Sequence, residues 1–360
     1  MRKRLILIFC FFMALAAWPA KAEIAPTDLN PLYIYVGSVE DGGWHKALEA
    51  GRVLTDKMFP GVESKFLQNL PEGAEFMIQV EKLIKSCHPR LVIASSYGYG
   101  DFLPILANKY PQVYFVHLTG YNTAPNLASA FGRMYQMRYL SGIIAGMTTK
   151  SNQIGYVAAY PVAEIFRGIN AFTLGVRKVN PEATVYVSWL NSWGDLNKEE
   201  AYTYRLIDQM NCDVITMHTD TTAIAQVCER RGVGFIGYSS NMREFAPTQF
   251  LVASLWNWEV VFSHYYKMVM RGDFNQEYYY PDLSSGAISL SEYGPRVSEE
   301  AKALVAGEMD KLRVQDDIFI GPIKDNQGRL VLKDGEKITL QQLQTMNWLI
   351  EGVQELESNR

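Results

Sequence analysis

The sequence predicts an α/β protein with two similar, doubly wound lobes, each built on a parallel sheet. The first observation is an internal repeat, because the strand, glycine-rich turn and helix pattern of residues 33–52 returns at residues 154–177. The second is that both copies continue as short apolar runs alternating with helix-like segments, which is typical of buried parallel strands joined by helices. Right-handed crossovers between such strands give each sheet helices on both faces.

The later segments of the two copies also match in order. Each copy has a turn and an alternating strand, then a helix that runs into a buried strand, then a further short strand. One dinucleotide-binding domain beside an unrelated domain would account for one copy but not for matched halves. The matched pairs are residues 59–69 with 180–191, residues 81–96 with 204–220, and residues 110–118 with 231–239.

The C-terminal third adds elements that a single linker between the lobes would leave without a sheet to join. Residues 251–274 have the pattern of a strand and a helix, and residues 320–335 that of a hairpin. We therefore expect the chain to recross between the lobes near residues 119–133, 252–258 and 280–288, forming a multi-crossing hinge.

Two similar lobes joined by several crossings are the architecture of a type I periplasmic binding protein. The predicted division of the chain follows from this arrangement. It is a signal peptide at 1–22, an N-terminal lobe from 30–130 plus 257–283, a C-terminal lobe from 134–253 plus 286–318, and a C-terminal hairpin and helix packing on the lobes over 319–360.

The N-terminus has the three parts of a secretory signal peptide. A basic start at residues 2–4 precedes an apolar run at residues 5–18, and Ala20-Lys21-Ala22 supplies an A-x-A cleavage site. At about 14 residues the run is shorter than the roughly 20 needed to cross a bilayer. Cys10 follows the bulky Phe9 inside this run, so a lipid anchor is not expected. We predict a soluble protein in a bacterial periplasm.

The composition is that of a globular protein, with 48% hydrophobic and 20% charged residues. The chain has 34 basic against 38 acidic residues, and four of the basic ones lie in the predicted signal peptide. The exported chain would therefore be acidic and would lack the basic surface of a nucleic-acid-binding protein. Nucleic acid is not expected among its partners.

The sequence lacks the usual signatures of catalysis and metal binding. The first glycine-rich turn carries two acidic residues and does not match a phosphate-binding loop. His45 and His218 could approach a cleft, but no activated nucleophile is available for them to serve. Cys87, Cys212 and Cys228 fit small buried hydrophobic residues, although a Cys212–Cys228 bridge remains open. We expect no catalytic residue, metal or cofactor.

A ligand site is predicted where the two lobes face each other. Ligands of open α/β sheets bind outside the carboxyl ends of the strands, and the loops there are rich in aromatic and polar side chains. Aromatic planes can clamp a flat ring while polar groups bind its edge, although each residue could instead pack in the core or cap a helix. Tyr99, Tyr160 and Trp258 occupy similar loops. The predicted ligand-binding residues are Trp44, Tyr97, Phe166, Asn191, Trp193, Asp220, Ser239, Trp256 and Asn257.

These segments resemble the basic membrane protein family of ABC-transporter substrate-binding proteins, specifically its purine nucleoside receptor-like (PnrA-like) group. The resemblance covers essentially the whole chain after the signal peptide, and its longest and most specific part is residues 131–181. The other matching segments are residues 41–52, 95–101, 189–201, 213–220, 237–242, 254–258 and 319–328.

The resemblance implies a purine stacked between aromatic rings, with Trp44 at a stacking position and the loop at Tyr97 facing the base. Nucleoside-binding members hold the ribose with an acidic residue and a lysine, and here these positions are Ser239 and Asn257. The family's Phe-Asn pair is also changed, to Trp44-His45. We therefore expect a free purine base or a similar flat heterocycle, rather than a nucleoside, with Asp220 and Asn191 binding donor groups on the ring edge.

The predicted function is the capture of this ligand for an ABC importer, as a monomer that presents its closed form to a permease in the inner membrane. No chemistry is expected, so the protein would not be an enzyme. Two alternatives remain open from the sequence: an extracytoplasmic sensor with the same fold, and, less favoured, an enzyme that processes nucleosides. Whether ribose is bound is the main question left open about the ligand.

Overall fold

The computed structural model describes residues 23–315 and 317–356. The predicted signal peptide at residues 1–22 lies outside the described residues. The strands are β1 (Leu32–Ile34), β2 (Lys65–Leu67), β3 (Leu91–Ala94), β4 (Tyr114–Leu118), β5 (Leu127–Ala130), β6 (Gln153–Ala158), β7 (Thr184–Trp189), β8 (Val214–His218), β9 (Gly234–Ser239), β10 (Phe250–Trp256), β11 (Tyr278–Tyr279), β12 (Ile288–Leu290), β13 (Ile323–Lys324), β14 (Leu330–Leu332) and β15 (Val353–Glu355).

The helices lie mostly between consecutive parallel strands, as the sequence pattern predicts. They are α1 (Pro26–Leu29), α2 (Trp44–Met58), α3 (Ala74–Cys87), α4 (Leu103–Lys109), α5 (Tyr135–Thr148), α6 (Ala163–Val179), α7 (Leu196–Asp208), α8 (Ala223–Arg231), α9 (Trp258–Arg271), α10 (Glu299–Gln315) and α11 (Leu340–Gln344).

Two sheets form the cores of two lobes. In the first lobe the six strands follow the order β11-β5-β4-β3-β1-β2 and pair in parallel. In the second lobe the seven strands follow the order β12-β10-β9-β8-β6-β7-β15, and β12 alone among these described strands pairs antiparallel. The predicted fold of two similar parallel-sheet lobes is confirmed.

The central strands are short apolar runs because both faces of each sheet are covered by helices. Every residue of β3 and of β9 is buried, which removes the polar alternation seen in half-exposed strands. Helices α5 and α6 approach each other so closely that a Cβ on Gly142 would lie 2.0 Å from the Phe172 carbonyl oxygen. A Cβ on Gly175 would lie 2.0 Å from the Tyr139 carbonyl oxygen, so both glycines are required by this backbone contact.

The chain passes between the two sheets at residues 131–134, at Asn257 and at residues 280–287, as a multi-crossing hinge requires. The second passage returns α9 to the first lobe, where it packs on α2. A Cβ on Gly51 of α2 would lie 2.5 Å from the Trp258 Cβ, which explains the small residue at this contact.

The C-terminal segment packs against α6 of the second lobe. Arg167 donates a hydrogen bond of 2.6 Å to the Leu343 carbonyl oxygen, and the Asn170 amide donates one of 2.9 Å to the Trp348 carbonyl oxygen. Strand β15 then extends the second sheet beside β7.

Cys87, Cys212 and Cys228 are free thiols, with Cys212 and Cys228 buried.

Across the described ranges, we find no helix that combines the length and the apolar character needed to span a membrane.

Candidate functional site

A cavity of about 770 Å³ lies between the lobes, at the carboxyl ends of both sheets. This volume is within the range of small-molecule sites. The lining is largely aromatic and comes from both sides. Its rings are Trp44, His45, Tyr97, Tyr121 and Tyr278 from the first lobe, Phe131 from the crossing at residues 131–134, and Tyr160, Trp193, His218 and Tyr238 from the second lobe.

The structure brings four of the nine predicted residues together in this cavity: Trp44, Tyr97, Trp193 and Asp220. Tyr160, which the sequence placed in a similar loop, also lines it. The other predicted residues do not line the cavity. These are Phe166, Asn191, Ser239, Trp256 and Asn257.

Trp256 and Asn257 serve the hinge instead. The Trp256 ring is buried and stacks on Trp258 at a centroid distance of 4.7 Å, while its edge meets Trp44 at 6.1 Å. It therefore supports the cavity wall from behind. The Asn257 amide donates hydrogen bonds to the Gly286 carbonyl oxygen at 2.7 Å and to the Ser289 hydroxyl at 3.1 Å, which ties two crossings together.

The remaining three residues are turned away by local backbone and packing. Ser239 has φ of 68° and is 1% exposed, and Asn191 has φ of 53° in the turn after β7. The Asn191 backbone N–H donates to the Ala159 carbonyl oxygen at 2.8 Å. Phe166 packs on the Trp189 ring at 5.5 Å. A position after a strand therefore does not by itself direct a side chain into the cavity.

Trp44 is the first residue of α2 and is fixed from several directions. Its indole N–H donates to the Ser95 carbonyl oxygen at 3.3 Å, and its ring meets Phe131 at 6.3 Å and Trp258 edge-on at 5.2 Å. A ring held by packing loses little freedom when a ligand stacks on it, which favours binding.

Asp41 and His45 hold the start of α2 rather than a ligand. Asp41 accepts hydrogen bonds from the backbone N–H groups of Gly43 at 3.1 Å and Lys46 at 3.0 Å, so its carboxylate caps the start of this helix. The His45 ring Nδ1 lies 2.5 Å from Asp41, and its Nε2 accepts from the Gly37 N–H at 3.1 Å. Both ring nitrogens are therefore occupied, which leaves neither available as a base.

The two lobes meet at Asp220. The Gly42 N–H donates to the Asp220 carbonyl oxygen at 2.7 Å, and the Trp44 N–H donates to the Asp220 carboxyl at 3.0 Å. The Ser240 hydroxyl donates to the Gly42 carbonyl oxygen from the same side. Burial and the nearby Asp41 hold the pKa of the Asp220 carboxyl well above its usual range. These contacts join the lobes in a closed arrangement.

Polar groups gather at the second-lobe end of the cavity. Glu164 lies in the first turn of α6, 3.2 Å from the Tyr238 hydroxyl and 3.3 Å from the His218 Nε2. His218 is level with Trp189 because both pair with Ala158 across β6. Burial lowers the pKa of His218, so its ring is neutral at neutral pH.

Sequence reasoning missed several lining residues. Glu164 and Arg167 lie one turn apart on α6, directly after a strand, and this spacing could have placed both at the cleft. Tyr278 and Gln344 come from β11 and α11. No local sequence signal brings those two segments to the cavity.

In the described part of the chain, no group of three or more His, Cys, Asp or Glu is placed to hold a metal ion.

Glu199 supports the turn that carries Asp220, and it gives the first testable prediction. The Thr221 hydroxyl donates to the Glu199 carboxyl at 2.6 Å, and burial raises the pKa of this carboxyl to about 7. Between pH 4.5 and 7 the folded state keeps a proton that the unfolded state has lost, so stability falls as the pH rises. Replacing Glu199 with Gln removes the ionisable carboxyl and with it this loss of stability at higher pH. We expect the variant's free energy of unfolding to rise relative to the native chain by about 2 to 3 kcal/mol from pH 5 to pH 8.

Urea unfolding at both pH values measures this difference. Glu200→Gln is the matched control, because Glu200 is exposed and pairs with Arg230 at the surface. A stability difference between Glu199→Gln and the native chain that does not change with pH would contradict the assignment.

Comparisons with known proteins identify relatives of this chain. The sequence profile of the family described as ABC transporter substrate-binding protein PnrA-like matches residues 31–324. A purine-binding protein of Brucella abortus is 35% identical over 340 residues, which is 92% of this chain and 95% of that protein. A protein of Haloferax volcanii, provisionally named as an ABC transporter glucose-binding protein, is 32% identical over 79% of this chain and 72% of its own.

Solved structures support the fold. A solute-binding protein of an ABC transporter system from Conexibacter woesei superposes with a TM-score of 0.69 at 16% identity, covering 81% of this chain and 98% of that one. The family profile and the Brucella abortus relative confirm the resemblance noted from the sequence. The chain belongs to the family of PnrA-like ABC transporter substrate-binding proteins.

Proposed function

We propose that this protein captures a free purine base, or a flat heterocycle of similar size, in the periplasm and delivers it to an ABC permease of the inner membrane. The observation that carries the proposal is the set of aromatic rings contributed by both lobes to one cavity of about 770 Å³. The similarity to a purine-binding protein of Brucella abortus supports the same ligand class.

Stacking gives such a cavity its affinity for flat rings. Each base stacked on an aromatic side chain contributes about 1 to 3 kcal/mol, judged by alanine substitution in single-strand-binding proteins. Trp44 on one lobe and Trp193 with Tyr160 on the other offer planes that a bicyclic ring can contact on both sides. A hexose such as glucose can use the same rings only through its C–H faces, and the name of the Haloferax volcanii relative makes it the alternative to test.

A free base fits the site better than a nucleoside. The positions where the family resemblance implies ribose anchors carry Ser239 and Asn257, neither of which lines the cavity. Ser239 is buried, and the Asn257 amide is used by the hinge. An ionised side chain is therefore missing at both positions, and the ribose hydroxyls would lose their strongest partners.

The mechanism is capture by closure. A ligand that contacts both lobes binds the closed form more tightly than the open form, and this difference in affinity drives the lobes together. The contacts of Asp220 with Gly42 and Trp44 then hold the closed form that the permease would recognise.

A calorimetric and thermal-shift screen tests the ligand class. We expect adenine, hypoxanthine or guanine to bind and to stabilise the protein by roughly 2.7 kcal/mol at 100 times the dissociation constant. We expect adenosine, inosine and glucose to bind much more weakly. Binding of nucleosides without binding of bases would overturn the proposal, and so would binding of glucose alone. Release of free base from a nucleoside during the incubation would reveal an enzyme.

A further inference from the structure

We propose that Glu164 is the main polar anchor of the captured base, accepting a hydrogen bond from a ring N–H through the carboxylate oxygen that its protein neighbours leave free. This inference rests on the proposed function, since it assigns a role within the same cavity. His218 and Tyr238 are then positioning residues that hold the carboxylate in place.

The two carboxylate oxygens of Glu164 have different surroundings. The Tyr238 hydroxyl donates to Oε1 at 3.2 Å, and the His218 Nε2 faces the same oxygen at 3.3 Å. Oε2 makes no hydrogen bond within the described residues, and the side chain lines the cavity while being 22% exposed. One oxygen is therefore fixed by the protein and the other is presented to a ligand.

The two supporting rings are themselves immobilised. The His218 and Tyr238 rings lie 4.0 Å apart, and both are buried. The His218 Nδ1 is buried without a partner within the described residues and lies on the side of Gly168, 3.5 Å from where a Cβ would stand. A neutral His218 that carries its proton on Nε2 therefore presents its only N–H to Glu164.

The charge state of Glu164 determines which ligand groups it can bind. Burial acts to raise the pKa of its carboxyl, but His218, the Arg167 guanidinium and the Tyr238 hydroxyl outweigh burial and lower this pKa. The group is thus an ionised carboxylate at neutral pH, which only accepts hydrogen bonds. Its partner must be an N–H or O–H donor, and a charge-assisted bond of this kind is stronger than a neutral one.

Free purine bases supply such donors at the ring edge. Hypoxanthine carries one N–H on its six-membered ring and one on its five-membered ring. A nucleoside has lost the second of these to the sugar. Methylated hypoxanthines therefore test which N–H the carboxylate binds, and whether it binds one at all.

The experiment compares Glu164→Gln with the native chain in calorimetric titrations with hypoxanthine, 1-methylhypoxanthine and 9-methylhypoxanthine. We expect Glu164→Gln to weaken hypoxanthine binding by about 10- to 100-fold, because a hydrogen bond to a charged group is lost. One methylated compound should bind the native chain correspondingly weakly, and Glu164→Gln should not weaken it further. Tyr238→Phe should give a smaller loss with hypoxanthine, because the carboxylate stays but is held by one neighbour fewer.

Glu308→Gln is the matched control. Glu308 also accepts a hydrogen bond from a tyrosine hydroxyl, Tyr139 at 2.8 Å, but it lies outside the cavity. Its replacement should leave the affinity unchanged.

Two results would overturn the inference while leaving the purine proposal intact. One is equal hypoxanthine affinity in Glu164→Gln and the native chain. The other is a loss in Glu164→Gln that is the same for all three compounds. Failure of the native chain to bind any purine would instead overturn the proposed function itself, and this inference with it.

Discussion

Replacing Gly43 with Ala should reduce the affinity for the ligand by about 10- to 100-fold without unfolding either lobe. A Cβ at this position would lie 2.5 Å from the Asp220 carboxyl oxygen and 2.9 Å from the Asp220 Cα. Gly43 belongs to the first lobe and Asp220 to the second, so the clash exists only when the lobes are closed. The apparent affinity falls with the population of the closed form. Calorimetry measures the loss, and small-angle X-ray scattering should show a ligand-bound protein less compact than the native one.

Gly194→Ala is the matched control for this substitution. Gly194 follows Trp193 at the edge of the cleft, and among the described residues a Cβ there would meet only the Thr221 methyl group, at 3.5 Å. Its affinity should stay within about twofold of the native value, a change below roughly 0.5 kcal/mol. Native affinity in Gly43→Ala would show that the Asp220 contact is not needed for binding.

Replacing Trp193 with Ala should weaken the binding of the base by about 10- to 100-fold, because one stacking surface is removed. Trp193 is 42% exposed, so its loss should cost the protein little stability, unlike the loss of a buried ring. Its ring lies 5.6 Å from the Tyr160 ring, and both rings belong to the second-lobe side of the cavity. Calorimetric titration with hypoxanthine measures the effect, and thermal unfolding without ligand checks the stability.

Trp189→Ala tests whether this effect depends on the cavity. Trp189 lies at the end of β7, packs on Phe166 and donates its indole N–H to Glu355 at 2.7 Å, outside the cavity. Its replacement should leave the affinity unchanged. If Trp193→Ala bound the base as tightly as the native chain, the second-lobe stacking surface would have to be another ring.

The lobes could be predicted from the sequence because the repeat is encoded locally. Alternating strand and helix patterns recur in both halves, and buried parallel strands need only short apolar runs. The loops after β1 and β8 could also be recognised from the sequence around each strand. Trp44 and Asp220 follow these strands and face the cavity.

The direction of a side chain after a strand was harder to predict. Trp256 ends β10, which is the strand next to a hinge crossing, and its ring turns toward Trp258. Ser239 ends β9 in a left-handed backbone conformation. Neither the hinge contact nor the positive φ of a serine is visible in a periodic pattern. Tyr278 and Gln344 depend on long-range packing, which local patterns do not contain.

The most direct test of the central claim is a crystal structure of the protein with hypoxanthine bound. We predict that the base lies in the cavity between the lobes, with its plane against Trp44 on one side and against Trp193 or Tyr160 on the other. A base bound outside this cavity, or one that contacts the rings of a single lobe only, would contradict the account.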